Sequence, residues 1–283
     1  DDRRLAYTLR LASIFTDLLP NEEAATISTL PLGWPVDTYE DQFLAACVFN
    51  LRKLAEGLAD LKERSGKKIV VCIEPEPGCI FDRAEDVVRF FENRLLTGNK
   101  ETDSRILEHI GVCHDVCHSS VMFESQDLAI KTYAGAGIQV GKVQVSSAVE
   151  VDFRNCDQEE LLLKKEQLRR FAEPRYLHQT SVRQDDGEIL FYEDLHLALE
   201  AGPVSGLWRV HFHVPVFVQS FEHINTTQQD IFFLMSAMQE YQPETTDFEV
   251  ETYAWNVMPH DLQAESVSES IAAELKWFQE LID

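Results

Sequence analysis

Short apolar runs rich in β-formers alternate with longer stretches of helical period along most of this chain. That alternation predicts βα units around a parallel sheet. The strand candidates are residues 25–30, 68–74, 110–115, 142–146, 207–214 and 248–252, each apolar in the middle and ending in polar or small residues. Between them, residues 39–64 carry Phe43, Ala46, Leu51, Leu54, Leu58 and Leu61 at spacings near three and four, the period of a helix face. Residues 1–19 read as an amphipathic helix, and residues 265–282 as a last one with Ile271, Leu275, Phe278 and Leu281 on one side. The run Asp82-Arg83-Ala84-Glu85 before Val87, Val88 and Phe91 has the form of a capping box, which predicts a helix whose first amides donate to the Asp82 carboxylate.

The expected fold class is therefore α/β, a (β/α) barrel. Six strands are fewer than a closed barrel uses, so its N-terminal strands are expected to be missing from this chain, ahead of Asp1. A length of 283 residues at 45 % apolar content suits one such domain over residues 1–283. Residues 150–201 break the alternation, being charged and irregular, with a helix near residues 159–171 and the loop-like Gln184-Asp185-Asp186-Gly187. They carry too few apolar residues for a core of their own and are expected to be an irregular insertion.

A net charge of −24 makes the surface acidic, and Lys and Arg occur only in scattered pairs such as Lys164-Lys165 and Arg169-Arg170. Such a surface repels polyanions, so no nucleic-acid partner is expected. Cys47, Cys72, Cys79, Cys113, Cys117 and Cys156 sit mostly inside apolar stretches, as reduced thiols do in a cytoplasmic protein. No run approaches the roughly 20 apolar residues of a membrane span, and no signal-peptide pattern opens the chain.

In a parallel barrel the chemistry gathers where strands end. After Val70-Val71-Cys72-Ile73 come Glu74-Pro75-Glu76-Pro77, and Val112-Cys113-His114 leads to Asp115-Val116-Cys117-His118. Gln144 follows Lys142-Val143, His211-Phe212-His213 follows Trp208-Arg209-Val210, and Glu251 follows Phe248-Glu249-Val250. Nearly every strand end presents a carboxylate, imidazole or amide, which is the ligand set of a divalent cation such as Zn, Mn, Mg or Co. Alone, each has a bland reading. Glu74 and Glu76 could form a polar strand exit with either as ligand, and a single His-x-His is more often packing than metal binding. Their convergence at successive strand ends favours a metal site. A rival thiolate site of Cys113, Cys117 and His118 lacks the Cys-x-x-Cys turn of zinc sites, and no Gly-x-Ser-x-Gly elbow supports a serine hydrolase.

The order Glu74, Asp115-x-x-His118, Gln144, His211-x-His213, Glu251 resembles the xylose-isomerase-like TIM barrels, which include sugar epimerases and endonuclease IV-type enzymes. The segments Ser28-Thr29-Leu30-Pro31-Leu32-Gly33-Trp34-Pro35, Glu74-Pro75-Glu76-Pro77-Gly78-Cys79, Gly111-Val112-Cys113-His114-Asp115-Val116-Cys117-His118 and Lys142-Val143-Gln144-Val145-Ser146-Ser147 are most similar to the bacterial EboE metabolite-traffic family. The resemblance implies one divalent metal held at Glu74, Asp115, Gln144 and Glu251, with His118 against the substrate. Gln144 departs from the family's imidazole, and His211 or His213 would then substitute.

The activity implied is that of a sugar or sugar-phosphate isomerase or epimerase, with Glu74 and Glu251 as acid and base beside a metal-polarised carbonyl. The ligand would be a small polar, sugar-like metabolite. A non-catalytic metabolite binder of the EboE type is the alternative, and an endonuclease IV-like phosphodiesterase is the third reading.

Overall fold

Val70, Val71, Cys72 and Ile73 are all buried, an unbroken apolar run that belongs in a strand covered on both faces. In the computed structural model they form the second strand of a five-stranded sheet. The structure describes residues 1–20, 23–35, 40–202, 204–242, 246–251 and 253–283. In chain order the elements begin with helix α1 (Asp2–Leu18), strand β1 (Ala24–Thr29), α2 (Glu40–Ser65), β2 (Lys68–Ile73), α3 (Ala84–Phe90), α4 (Lys100–His109) and β3 (Ile110–Asp115). They continue with α5 (Val116–Val121), α6 (Gln126–Gly135), β4 (Val140–Val145), β5 (Val149–Asp152), α7 (Gln158–Arg169), β6 (Thr180–Arg183), β7 (Ile189–Tyr192) and α8 (Leu195–Glu200). The last are β8 (Leu207–Val210), β9 (Ser220–Phe221), β10 (Ile224–Thr226), α9 (Gln228–Tyr241), β11 (Asp247–Val250) and α10 (Val267–Ile282).

The chain forms two compact units, one of residues 1–114, 128–143 and 238–247, the other of residues 115–127, 144–237 and 248–283. The five-stranded sheet has the order β1-β2-β3-β4-β11, with parallel ladders from β1 to β2 and from β2 to β3. Its close strand packing uses small residues. A Cβ on Gly141 would stand 2.7 Å from the Cys72 sulfur, so only glycine fits there without displacing the neighbour. The expected helices at both chain ends and the long one after β1 are present as α1, α10 and α2. Tyr39 and Thr252, expected to bound a helix and the last strand, lie outside the described residues. Among the described residues no helix is long and apolar enough to cross a membrane, and all six cysteines are free.

Three expectations need correction. Residues 207–214 are not one parallel strand. The strand is β8, Leu207–Val210, and it pairs antiparallel with both β5 and β6. The ladder stops because the Phe212 N–H turns back to the Val210 carbonyl at 2.8 Å, while the His211 N–H donates to Gln179 and the Val214 N–H to Ser147. Nor are residues 150–201 irregular. They supply β5, α7, β6, β7 and α8, and three of these strands join a second, six-stranded sheet of order β7-β6-β8-β5-β10-β9. Gly187 occupies the left-handed region, φ 91°, in the turn between β6 and β7. The core on this sheet draws Val151, Phe171, Val182 and Leu195 from that segment and Trp208, Phe212 and Val214 from beyond it. Sparse apolar positions thus make a core only when pooled with residues distant in sequence.

The capping box is displaced by one residue. Helix α3 starts with Arg83 as its N-cap and makes no side-chain cap bond. The Asp82 carboxyl instead meets Asp86, and burial, followed by the hydrogen bond and charge of Asp86, pushes it up to about 6. An acid raised in the folded state binds more protons there than in the unfolded chain. Stability contributed by protonated Asp82 is therefore present below about pH 4 and lost as pH rises through about 6. Asp82→Asn should match the parent protein in denaturant titrations at pH 4 and exceed it by about 1–2 kcal/mol at pH 7.5, a figure reduced for the carboxylate's partial solvation. Equal stabilities at pH 7.5 would mean that the two carboxylates do not share a proton.

Candidate metal centre

Asp115 ends β3 and caps the following helix, so its place is set by two elements at once. Its Oδ1 accepts from the His118 N–H at 2.8 Å and from the Ser146 hydroxyl at 2.9 Å. Ser146, just past β4, also accepts from the Cys117 N–H at 2.8 Å, which ties the first turn of α5 to that strand end. One turn of helix then carries Cys117 and His118 round beside Asp115. The extended segment after β8 brings His211 and His213, whose rings stand 5.3 Å apart. His118 lies 4.5 Å from the His211 ring and 5.7 Å from that of His213.

All of these belong to the second unit, and they bring ligand atoms close together. Asp115, His118 and His213 offer one atom each within 4.8 Å of one another, and so do Cys117, His211 and His213. The carboxylates of Asp115 and Glu251 also have oxygens within 4.8 Å, close enough for one ion to bridge. The site is dry, with Asp115 2 % and His213 1 % exposed. This buried cluster of His, Cys and Asp can hold a metal ion.

The electrostatics favour a cation. Burial works to raise Asp115, but the facing His118 and His213 imidazoles and the His118 N–H outweigh it and hold the carboxyl below its usual range. Burial, with the neighbouring imidazoles, drives His211 well below an ordinary histidine, and burial takes His213 down to about 4 against the pull of Asp115. Neutral imidazoles are what a metal binds. Asp115 Oδ2 is buried and, among the described residues, accepts from no N–H group or hydroxyl, with the Glu251 carboxyl as its neighbour. A buried carboxylate beside a half-buried one favours sharing a proton or a cation, and the residues present therefore fit a divalent ion.

No family model matches this chain, and no curated protein matches it. What the site is rests on its residues.

The remaining expected residues are placed as follows. Gln144 is buried near the end of β4, two residues before Ser146. Glu74 follows β2 in the first unit, where its N–H donates to the Thr29 carbonyl at 2.9 Å, and the Glu76 N–H donates to Phe81. The rival thiolate site is not assembled as expected. Cys113 packs with Val70 and Cys72 in the first unit, whereas Cys117 gathers with His211 and His213. Ser146 and Gln179 escaped the sequence reading as supporting residues. Gln179 Oε1 accepts from His211 Nδ1 at 2.7 Å, and His178, between Glu173 and the His211 carbonyl at 3.0 Å each, braces the same segment. Ser146 was visible as a polar strand exit. Gln179 had no local signal, because only the β6–β8 pairing brings it to His211.

Proposed function

We propose that the second unit's cluster is a divalent-metal centre and that the protein is a metal-dependent isomerase or epimerase acting on a small sugar-like molecule. The observation that carries this reading is the pair of neighbouring carboxylates, Asp115 and Glu251, beside the His213 imidazole, which burial takes down to about 4. A divalent cation balances the two negative charges, and such an ion polarises a carbonyl or hydroxyl. Asp115, His118 and His213 are the proposed ligands, with Glu251 as the ligand that also exchanges a proton at the adjacent carbon. Under the same reading the five-stranded sheet is part of a xylose-isomerase-like barrel. Phosphodiester hydrolysis on nucleic acid shares the donor set but conflicts with the −24 charge.

The test is proton exchange. Metal-loaded protein incubated in deuterated water with a panel of aldoses, ketoses and their phosphates should place deuterium next to the carbonyl of one of them. Glu251→Gln should lower that rate by at least about 10²-fold, as expected for a lost general base, and lower metal content with it. A metabolite binder without turnover is the second reading, favoured by Gln144, whose amide is a weaker ligand than an imidazole. Saturable binding of a panel member with no deuterium incorporation would establish it in place of the first.

A further inference from the structure

The two ligand groups in the second unit have different chemistry and one residue in common. Asp115, His118 and His213 are an oxygen-nitrogen set, whereas Cys117, His211 and His213 are a sulfur-nitrogen set. We infer that the cluster has a second cation position, Cys117–His211–His213, which takes a soft, zinc-like ion and excludes an ion at the Asp115 position. This rests on the metal-centre reading of the same cluster and adds which ions it takes, and where.

The hydrogen bonds around the two histidines prepare them for this role. His211 Nδ1 donates to Gln179 Oε1 at 2.7 Å, so its lone pair is on Nε2, where it accepts from His118 Nε2 at 3.1 Å, a bond that an ion at this position would replace. His213 Nδ1 lies 3.4 Å from the Glu251 carbonyl, which it can reach only as a donor, so its lone pair is also on Nε2. A metal-bound imidazole characteristically donates its other N–H in this way. Burial, with the Asp115 and Glu251 carboxylates, pushes the Cys117 thiol well up, so an ion at this position binds by displacing its proton. Ligand atoms around a tetrahedral zinc stand roughly 3.3–3.7 Å apart, given bonds of about 2.0–2.3 Å. An ion at this position would draw the present spacings of up to 4.8 Å in to that range.

Exclusion follows from His213. A neutral imidazole has one lone pair, so Nε2 serves one ion at a time. Softness divides the ions: thiolate favours zinc or cobalt, whereas the Asp115 and Glu251 oxygens suit magnesium or manganese.

Cobalt(II) titration of the whole chain, with a phosphine keeping thiols reduced, tests the inference. One cobalt per chain is expected, with a near-ultraviolet thiolate-to-cobalt charge-transfer band. Cys117→Ser should abolish that band and Cys113→Ser should keep it. Manganese added beforehand should slow cobalt uptake rather than leave both ions bound. Should Cys117→Ser fail to fold, the parent spectrum decides by itself. One bound cobalt without charge transfer overturns this inference and leaves the metal centre standing, whereas no bound cobalt overturns both. Two ions bound together, cobalt with charge transfer beside manganese, refute the exclusion.

Discussion

Replacing Asp115 by asparagine should abolish high-affinity metal binding while leaving the apo protein folded. Asparagine caps helices as well as aspartate does, so the bond from the His118 N–H to Oδ1 and the start of α5 should survive. What disappears is the charge. Loss of a supporting group around a metal ligand typically costs 10–100-fold in affinity, and loss of a charged ligand should exceed about 10²-fold. The facing imidazoles hold the Asp115 carboxyl below its usual range, so its charge contributes stability at neutral pH and apo Asp115→Asn should melt a few degrees below the parent. Calorimetric titration with manganese and zinc, alongside thermal melts of apo protein, reads both effects. A variant that binds metal at parental affinity would remove Asp115 from the ligand set, and one that melts far lower would mark its carboxylate as purely structural.

The second large effect lies in the same unit, at Arg209. Its guanidinium bridges Glu150 at 2.8 Å and Asp230 at 3.2 Å and also donates to the Ser120 carbonyl at 2.9 Å. It and Arg183 both lie over the Phe123 ring, at 4.8 and 4.6 Å from the centroid. Phe123 itself holds φ 53°, a costly conformation for a bulky residue, as the chain leaves α5. Arg209→Met preserves length and packing but strands two mostly buried carboxylates. Breaking a buried pair from one side costs about 3–5 kcal/mol, and partial exposure of these groups places the expectation near 3. Arg209→Lys should recover part of it, since a point charge replaces the fork but cannot serve every acceptor. Denaturant unfolding measures both variants. A loss under about 1 kcal/mol for Arg209→Met would show that Glu150 and Asp230 are solvated well enough to stand alone.

Arg209 also illustrates how far the sequence could be read. In the run Trp208-Arg209-Val210 it looks like the polar member of an alternating strand, which it is. Nothing local announces that Glu150 sits opposite it in the β5–β8 ladder or that Asp230 arrives from α9. The same limit explains why residues 150–201 read as an insertion. Its strands are four residues long, too short for a period to rise above noise, and their apolar residues acquire a core only through partners beyond residue 201.

The sequence by itself determined the βα alternation, because burying both faces of a parallel strand demands a continuous apolar run such as Val70 to Ile73, and burying one face of a helix demands the spacing of Leu51, Leu54 and Leu58. It also determined which residue types stand at strand exits. Asp115 and His118 were legible because they follow a strong apolar run, and His213 and Glu251 because each stands just past a strand with apolar positions. Only the tertiary structure decided that the strand leading to His211 and His213 is antiparallel and belongs to a different sheet. The hydrophobic pattern of a short strand says which positions are buried and not which neighbour supplies its hydrogen bonds. Only the tertiary structure, again, joined Cys117 to those two histidines and Gln179 to His211, since donor sets and supporting hydrogen bonds are distances between residues far apart in the chain.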